Sequence, residues 1–180
     1  MNRPSPFLIP EKIESTRIVL RTFREEDWRS LHEHYSDVEC TRFTFRRALT
    51  EAETWYTLAS MVGHWQLRGY GPYAVEEKAT GNVMGAIGLW YPKEWPSPEI
   101  KWALARRYWR KGFASEAVRA IQAMAREHVP AISLISVINV NNAPSIALAL
   151  AVGAKWEKEI QFRGGPHNIY RHPRENVRRT

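Results

Sequence analysis

Hydrophobic and polar positions along this chain follow two spacings, and each spacing predicts a different element. Alternation, or a short run of β-branched residues, predicts a strand, whereas hydrophobic residues three to four positions apart predict one face of a helix. These spacings occur in the order β-α-α-β-β-β-α-β-α-β-β, which predicts an α/β fold with a mixed sheet and helices on both faces. The predicted strands are 17–21, 72–76, 83–91, 99–105, 132–138, 156–162 and 169–172.

Capping-box spacing, in which a Thr is followed three residues later by a Glu, predicts two of the helix starts. It occurs at Thr22 and Glu25 and again at Thr50 and Glu53, and Gly69 is a natural stop for the second helix. The inward faces are expected to be Trp28, Leu31, His32 and Tyr35 in the first helix, Trp55, Leu58, Ala59 and Val62 in the second, Ala117, Val118, Ile121, Met124 and Ala125 in the third, and Ile146 and Leu150 in the fourth.

The turn between strand 99–105 and the third helix has the composition of an anion-binding site. Gly112, Ala114 and Ser115 are small, so a ligand can approach the backbone, and a helix start carries unpaired N–H groups and partial positive charge. Full positive charges come from Arg106, Arg107, Arg110 and Lys111. The turn therefore predicts a phosphate cradle, with an ordinary strand-to-helix turn carrying solvated arginines as the alternative.

The length of 180 residues is typical of one domain with a real core. We expect a loose segment at 1–12, a single domain at 13–173 and a basic tail at 174–180. No hydrophobic run could span a bilayer, and the first residues lack the hydrophobic centre of a secretory signal. A single cysteine, Cys40, excludes an internal disulfide and fits a reducing cytoplasm. Because no His or Cys cluster has ligand spacing, no metal is expected.

The net charge of +7 limits the choice of partner. Such a charge fits nucleic acid, an acidic membrane surface or an acidic small molecule. Part of the excess lies in the tail, and the rest includes the arginines of the predicted phosphate turn. Because no nucleic-acid-binding motif is present, a polyanionic small molecule ranks first, and neither a nucleic acid nor a membrane partner is expected.

Three segments carry a resemblance to a known family. Residues 109–117 read WRKGFASEA, residues 16–27 read TRIVLRTFREED, and Asn142-x-x-Ser145 is followed by Gly153. Together they resemble the GNAT acetyltransferase superfamily, in the branch of the ribosomal-protein N-terminal alanine and serine acetyltransferases. The departures are Trp109, where Gln or Arg is usual, Arg110, where the branch commonly has Gly, and Ala154, where it has Phe.

The resemblance implies a GNAT-like acyl-CoA N-acyltransferase fold and an N-acetyltransferase. Such an enzyme moves an acetyl group from acetyl-CoA to a primary amine, a protein N-terminus or a small amine, by direct attack. An inactive acyl-CoA-binding regulatory domain is the alternative, and a basic nucleic-acid-binding module is a third reading. The acceptor and the oligomeric state stay open, with a homodimer as one option.

The resemblance also implies roles for particular residues. The backbone of Arg110, Lys111, Gly112, Phe113, Ala114 and Ser115 would hold the CoA pyrophosphate, and the backbone of Trp102, Ala103 and Leu104 the pantetheine arm. Asn142 would lie near the CoA arm, with a helix cap as its alternative role. A Tyr that often protonates the thiolate is replaced by Ala149, which leaves Ser145 as the substitute donor.

Glu99 is the candidate general base, with Glu157 or water as rivals and a solvated strand-end charge as the alternative. If Glu99 and Ser145 both prove dispensable, water or Tyr170 is the next candidate. Cys40 has no evident activating neighbour, so a mechanism through a cysteine nucleophile is rejected.

Overall fold

In the computed structural model, which describes residues 7–174, eight strands form one mixed sheet. The strands are β1 (Lys12–Glu14), β2 (Ile18–Arg21), β3 (Pro72–Glu77), β4 (Val83–Trp90), β5 (Glu99–Leu104), β6 (Ile135–Asn139), β7 (Lys155–Phe162) and β8 (Gly165–Arg171). The α-helices are α1 (Asp27–Tyr35), α2 (Val38–Thr41), α3 (Glu51–Arg68), α4 (Phe113–His128) and α5 (Ala143–Ala151), and a 3₁₀ turn covers Arg106–Tyr108. The spatial order β1-β2-β3-β4-β5-β6-β8-β7 confirms the predicted mixed sheet.

The core lies on both faces of the sheet, because neighbouring strand residues point to opposite sides. On one face, Val75 and Ile87 join a hydrophobic cluster with α4, including Ile121. On the other, Ala74 and Ala86 join a smaller cluster with α1 and α3. The predicted α4 face, from Ala117 to Ala125, is buried as expected.

The sheet opens between its two central parallel strands. β4 and β5 pair along their whole length, from Trp90↔Glu99 to Gly85↔Leu104. In contrast, β5 and β6 pair only at Glu99↔Ile135. Beyond that pair the two strands diverge and no longer pair with each other. The wedge-shaped gap between them faces the cleft described below.

One helix start was predicted correctly and another was not. At α3, Thr50 and Glu53 form a reciprocal capping box, and Gly69 ends the helix with a φ of 74°. The first helix, however, begins at Asp27 rather than directly after Thr22. The physical reason is the Asp27 carboxylate, which accepts the Arg24 N–H at 2.7 Å and holds the preceding residues in a turn.

The predicted inward faces of two helices are partly wrong. In α3 the buried positions are Thr54, Leu58, Met61, His64 and Trp65, so only Leu58 was identified. Trp55 is 40% exposed and Val62 is 37% exposed. In α5, Ala149 is buried and Leu150 is 54% exposed. Both helices carry hydrophobic residues around much of their circumference, so the spacing alone did not fix which stripe packs on the sheet.

Two late strands also differ from expectation at their ends. β6 starts at Ile135 rather than at 132, and β8 starts at Gly165, so the hairpin between β7 and β8 turns at Arg163 and Gly164. The order of the elements is nevertheless the predicted one, with the short additions β1 and α2.

The expectation of a loose segment at 1–12 is wrong for the residues from Phe7 onward. Phe7 lies edge-on to Trp65 at 5.1 Å, and the Tyr73 hydroxyl donates to the Pro10 carbonyl at 2.6 Å. Ile9 is 2% exposed. Proline content suggested looseness, but Pro10 belongs to a segment, residues 7–10, that packs on the core. At the other end Arg174 donates to the Ala131 carbonyl, while the rest of the predicted tail lies outside the described residues.

Candidate active site

A cleft of about 1120 Å³ lies where β5 and β6 diverge. Its lining comes from α1, α2, α3, the β5 strand, the turn that precedes α4, the start of α5 and the β7–β8 hairpin. The cleft has two ends, which are described in turn. We call the end at the start of α4 the phosphate end, and the end at Glu99 the acceptor end.

Ten of the twelve predicted site residues line the cleft: Glu99, Trp102, Ala103, Leu104, Arg110, Gly112, Ala114, Ser115, Asn142 and Ser145. The other two predicted residues, Lys111 and Phe113, do not line it. The Phe113 side chain is buried in the core against Tyr108, and the exposed Lys111 side chain lies near the Tyr108 ring.

The phosphate end is built from backbone. Gly112 precedes the first residue of α4 with a φ of 82°, and Arg110 also has a positive φ, of 59°. In the part of the chain that the structure describes, the N–H groups of Phe113, Ala114 and Ser115 donate to no protein acceptor. A helix start with free N–H groups and an adjacent left-handed residue is a site for an oxyanion. Phe113 therefore contributes to this end through its backbone only.

The cationic side chains of the turn are divided between two uses. Arg106 pairs with Asp37 at 2.8 Å, and Arg107 pairs with Glu33 at 3.0 Å, so both hold the turn against α1 and α2. Their predicted contribution to the phosphate cradle is therefore wrong, because carboxylates neutralise them. Arg110 lines the cleft and makes no ion pair with any residue between 7 and 174.

Arg17 stabilises the phosphate end from outside the cleft, a role that no sequence pattern indicates. Its Nη1 donates to the Lys111 carbonyl at 2.9 Å, and its Nε donates to Glu116 at 2.8 Å. The guanidinium also lies 4.5 Å from the centre of the Phe113 ring. Although burial opposes it, hydrogen bonding from Arg17 holds the pKa of Glu116 below its ordinary value. One side chain thus ties the turn to the first turn of α4.

The backbone of β5 forms the floor of the cleft. The Leu104 carbonyl is already occupied, because it accepts from the Trp109 indole N–H at 2.7 Å and from His34 Nδ1 at 3.0 Å. Trp109 therefore has a structural reason to stand where the family pattern has Gln or Arg. Trp102 and Ala103 lie on the same floor, next to the strand that diverges from β5.

Ser145 has the geometry of a hydrogen-bond donor towards the cleft. The Trp102 indole N–H, which can only donate, gives a hydrogen bond to Ser145 Oγ at 3.1 Å. The serine proton therefore stays available for another acceptor. Asn142 Oδ1 accepts the Ser145 N–H at 3.3 Å, so the alternative role of Asn142 as a helix cap is present in the structure.

Glu99 lies at the acceptor end and is 7% exposed. Its carboxylate accepts from the Trp95 indole at 2.8 Å and from the Val137 N–H at 3.2 Å. Burial raises the pKa of Glu99 above its ordinary value, although these two hydrogen bonds oppose the rise. The alternative reading of Glu99 as a solvated strand-end charge is wrong, because the side chain is enclosed.

The two reserve residues do not reach the cleft. Glu157 forms an ion pair with Arg171, and the hydrogen bond from Arg171 lowers the pKa of Glu157. Tyr170 packs in a small cluster with Ile138 and Ala149. Neither residue lines the cleft, so Glu99 and Ser145 are the better placed candidates.

Cys40 does line the cleft, and its environment supports the rejection of a cysteine nucleophile. Burial, followed by the charge of Asp37, raises the pKa of the Cys40 thiol to about 11. His34 is nearby, since both side chains are directed at the Leu104 carbonyl. Burial lowers the pKa of His34 to about 4, so at neutral pH it is uncharged and cannot stabilise a thiolate.

Solved structures with the same arrangement are GNAT acetyltransferases. An acetyltransferase from Agrobacterium tumefaciens superposes with a TM-score of 0.81 at 21% identity, covering 96% of this chain and 99% of that one. The ribosomal-protein-S5-alanine acetyltransferase from Vibrio fischeri gives a TM-score of 0.71 at 14% identity, covering 92% of this chain and 97% of that one. The fold is therefore that of the GNAT acetyltransferases.

Residues 17–155 match the family described as Acetyltransferase (GNAT) domain, and the chain belongs to this family. Among related sequences, the uncharacterized N-acetyltransferase p20 of Bacillus licheniformis is 30% identical over 113 residues, which are 62% of this chain and 64% of p20. The match thus spans less than two thirds of the length of p20. The family predicted from the motifs is confirmed.

Two further observations concern membranes and metals. None of the helices among residues 7–174 is long and hydrophobic enough to cross a membrane. In the same range, no group of three or more His, Cys, Asp or Glu side chains is arranged to hold a metal ion.

Proposed function

We propose that this protein transfers an acetyl group from acetyl-CoA to a primary amine, either a protein N-terminus or a small amine. The observation that carries the proposal is the opening between β5 and β6, which pair only at Glu99↔Ile135 and diverge beside the free N–H groups at the start of α4. An extended ligand with an anionic group at one end fits such a wedge, and membership of the GNAT family supports acetyl-CoA as that ligand.

The pyrophosphate of CoA would bind the backbone from Arg110 to Ser115. The free N–H groups and the partial positive charge of the helix start favour an anion there, and Arg110 adds a full charge. Gly112 lines the cleft at this turn, and a Cβ added there would lie 3.2 Å from Arg17 Nη2. The pantetheine arm would then follow the exposed backbone of Trp102 and Ala103 towards Glu99.

The chemistry needs a neutral amine, a polarised thioester and a donor to the leaving sulfur. The amine nitrogen attacks the carbonyl carbon, the new C–N bond replaces the C–S bond, the amine loses a proton and the thiolate gains one. Glu99 would take the proton, directly or through water, and its raised pKa suits a base that works near neutral pH. Ser145 would donate a hydrogen bond to the thiolate, because Trp102 already occupies its acceptor side.

The setting in which this reaction occurs is inferred from the sequence. The single Cys40 fits a reducing compartment such as the cytoplasm. The proposed reaction takes acetyl-CoA and an amine acceptor as its partners, and it is compatible with a homodimer.

The proposal is tested by measuring free-thiol release from acetyl-CoA in the presence of a panel of amines, including peptides with free N-termini. We expect amine-dependent release by the wild-type protein. Ser145→Ala should lower kcat while the Kd for CoA, measured by calorimetry, stays within about twofold. Tight CoA binding without amine-dependent release would favour the inactive CoA-binding domain instead, and the absence of CoA binding would refute the proposal.

A further inference from the structure

The acceptor end of the cleft carries more positive charge than its two carboxylates can neutralise. Five cationic side chains and two carboxylates line the cleft within the described residues: Arg42, Arg46, Lys101, Arg110 and Arg163, with Glu39 and Glu99. Arg110 belongs to the phosphate end. Arg42 lies 3.7 Å from Glu39, which leaves Arg46, Lys101 and Arg163 around the single carboxylate of Glu99.

Glu99 does not form an ion pair with any of these three cations. Its oxygens accept from the Trp95 and Val137 N–H groups instead. Lys101 and Arg163 are close enough to oppose the rise of its pKa, but they stay outside ion-pair distance. Lys101 Nζ lies 4.9 Å from the centre of the Trp90 ring, in a half-buried position. Lys101 is therefore held by an aromatic ring rather than by a carboxylate.

Arg46 and Arg163 meet across the mouth of the cleft. Arg46 Nη2 donates to the Arg163 carbonyl at 3.3 Å, and the Arg163 guanidinium lies 5.8 Å from the Trp95 ring and 6.0 Å from the Phe45 ring. Two exposed cationic residues are thus neighbours, and within residues 7–174 neither forms an ion pair with a carboxylate. Such an arrangement favours an anion between them.

The two arginines share an unusual backbone conformation. Arg46 has a φ of 61° and Arg163 a φ of 48°, in the left-handed region that residues other than Gly, Asn and Asp rarely adopt. At Arg163 the reason is local, because the two-residue turn of Arg163 and Gly164 between β7 and β8 needs a positive φ at both positions. Neither arginine forms an ion pair within the described residues.

The phosphates of CoA do not account for these cations. Glu99 and the phosphate end stand at opposite ends of β5, a strand of 6 residues, and at ~3.3 Å per residue the separation is roughly 16 Å. The cationic mouth is on the Glu99 side, because Arg163 lies against Trp95, the partner of Glu99. Its anion must therefore belong to the acceptor.

We infer that the acceptor is an amine that also carries an anionic group, a carboxylate or a phosphate, which binds between Arg46 and Arg163 with Lys101 behind them. This inference rests on the proposed acetyl transfer. Polyamines and aminoglycosides carry several positive charges, so the same cations would repel them. The aromatic walls, Trp90, Trp95 and Phe45, suit an acceptor with an apolar body.

The test compares amines in pairs that differ in one anionic group. The carboxylate pair is L-phenylalanine and L-phenylalaninamide, the phosphate pair is O-phosphoethanolamine and ethanolamine, and spermidine and kanamycin represent polycations. Free-thiol release is measured, and kcat/KM is calculated with the concentration of the neutral, unprotonated amine. Differences in amine pKa between the members of a pair then do not affect the comparison. We expect at least one anionic member to exceed its neutral match about tenfold, and the pair that responds identifies the anion.

Two variants test the residues. Arg163→Asn and Arg46→Asn remove the charge but keep a residue that accepts a left-handed backbone. Each should raise the KM of the anionic amine about three- to tenfold and leave the KM values of the neutral amine and of acetyl-CoA within twofold. Arg126→Gln, an exposed charge on α4 outside the cleft, is the control and should change none of them. Preference for a neutral amine or a polycation, or equal effects on both members of a pair, would overturn the inference.

A binding measurement separates this inference from the proposed reaction. Tryptophan fluorescence is titrated with N-acetyl-L-phenylalanine, N-acetyl-L-phenylalaninamide, O-phosphoethanolamine and ethanolamine in the presence of CoA. If no amine is acetylated but an anionic member binds more tightly, and Arg163→Asn abolishes the difference, the proposed function fails and the anion subsite stands. If neither turnover nor binding shows a preference for the anionic members, the subsite is refuted.

Discussion

The phosphate end can be tested at Gly112 with two substitutions of nearly equal shape. Gly112→Gln and Gly112→Glu both place a long side chain at a residue whose φ is 82°, where a Cβ would lie 3.2 Å from Arg17 Nη2. Because the nearest atom is the end of a flexible side chain, steric repulsion is small. Only the glutamate adds a negative charge where the pyrophosphate is proposed to bind.

The magnitudes of the two effects can be estimated separately. A left-handed backbone costs a residue with a Cβ about 1–2 kcal/mol, which should lower the Tm of both variants by about 2–8 °C. A carboxylate roughly 5 Å from one phosphate charge adds a repulsion of about 1 kcal/mol in water and about 3 kcal/mol at an effective dielectric constant of ~20. The glutamate variant should therefore bind CoA roughly 5- to 150-fold more weakly than the glutamine variant.

The assay is calorimetric titration of CoA into the two variants and the wild type, with thermal unfolding as the check on folding. Equal losses of Tm in the two variants would show that the backbone strain is shared. The difference between their Kd values then reports the charge alone, and it should shrink at high salt. A glutamate variant that binds CoA as tightly as the glutamine variant would refute the placement of the pyrophosphate at this turn.

Three further predictions concern residues along the cleft. Glu99→Gln should lower turnover most at the lower end of the working pH range, at pH values still above the raised pKa of the wild-type carboxylate. Turnover of this variant should recover partly near pH 10, because neutral amine accumulates there. A pH–rate profile with a uniform deficit would count against a base. Asn142→Ala should raise the KM of acetyl-CoA several-fold; a fall in stability of about 1 kcal/mol with an unchanged KM would instead identify a helix cap only. Arg17→Met should raise the Kd of CoA several-fold and leave the KM of the acceptor unchanged, because the Lys111 carbonyl loses its donor, whereas equal changes in both constants would indicate a general loss of structure.

Much of the fold was predictable because its signals are local. The capping box at Thr50, the left-handed stop at Gly69 and the hydrophobic runs of β3 and β4 depend on neighbouring residues, so the sequence contains them completely. The phosphate end was predictable for the same reason, since its glycine, small residues and helix start are contiguous. The family resemblance then added Glu99 and Ser145, which hydrophobic spacing alone does not single out.

What the sequence did not determine depends on elements that pack against each other. Arg17 contacts Glu116, which lies 99 positions away along the chain. Arg106 and Arg107 form ion pairs with the carboxylates of Asp37 and Glu33. The sequence shows these residues as charges but not their partners. Likewise the buried stripe of α3 was misassigned because hydrophobic residues surround much of the helix, and only contact with the sheet selects one side.

The acceptor end is decided almost entirely by tertiary structure. Arg46 and Arg163 are separated by most of the chain, and they become neighbours only because the β7–β8 hairpin and the segment after α2 close over the same cleft. That neither arginine is neutralised by a carboxylate of residues 7–174 is a property of this tertiary arrangement. The sequence by itself determines the elements and the contiguous phosphate turn, because both arise from interactions between near neighbours. The packing of distant segments determines which charges face the acceptor, because electrostatic pairing depends on distance in space.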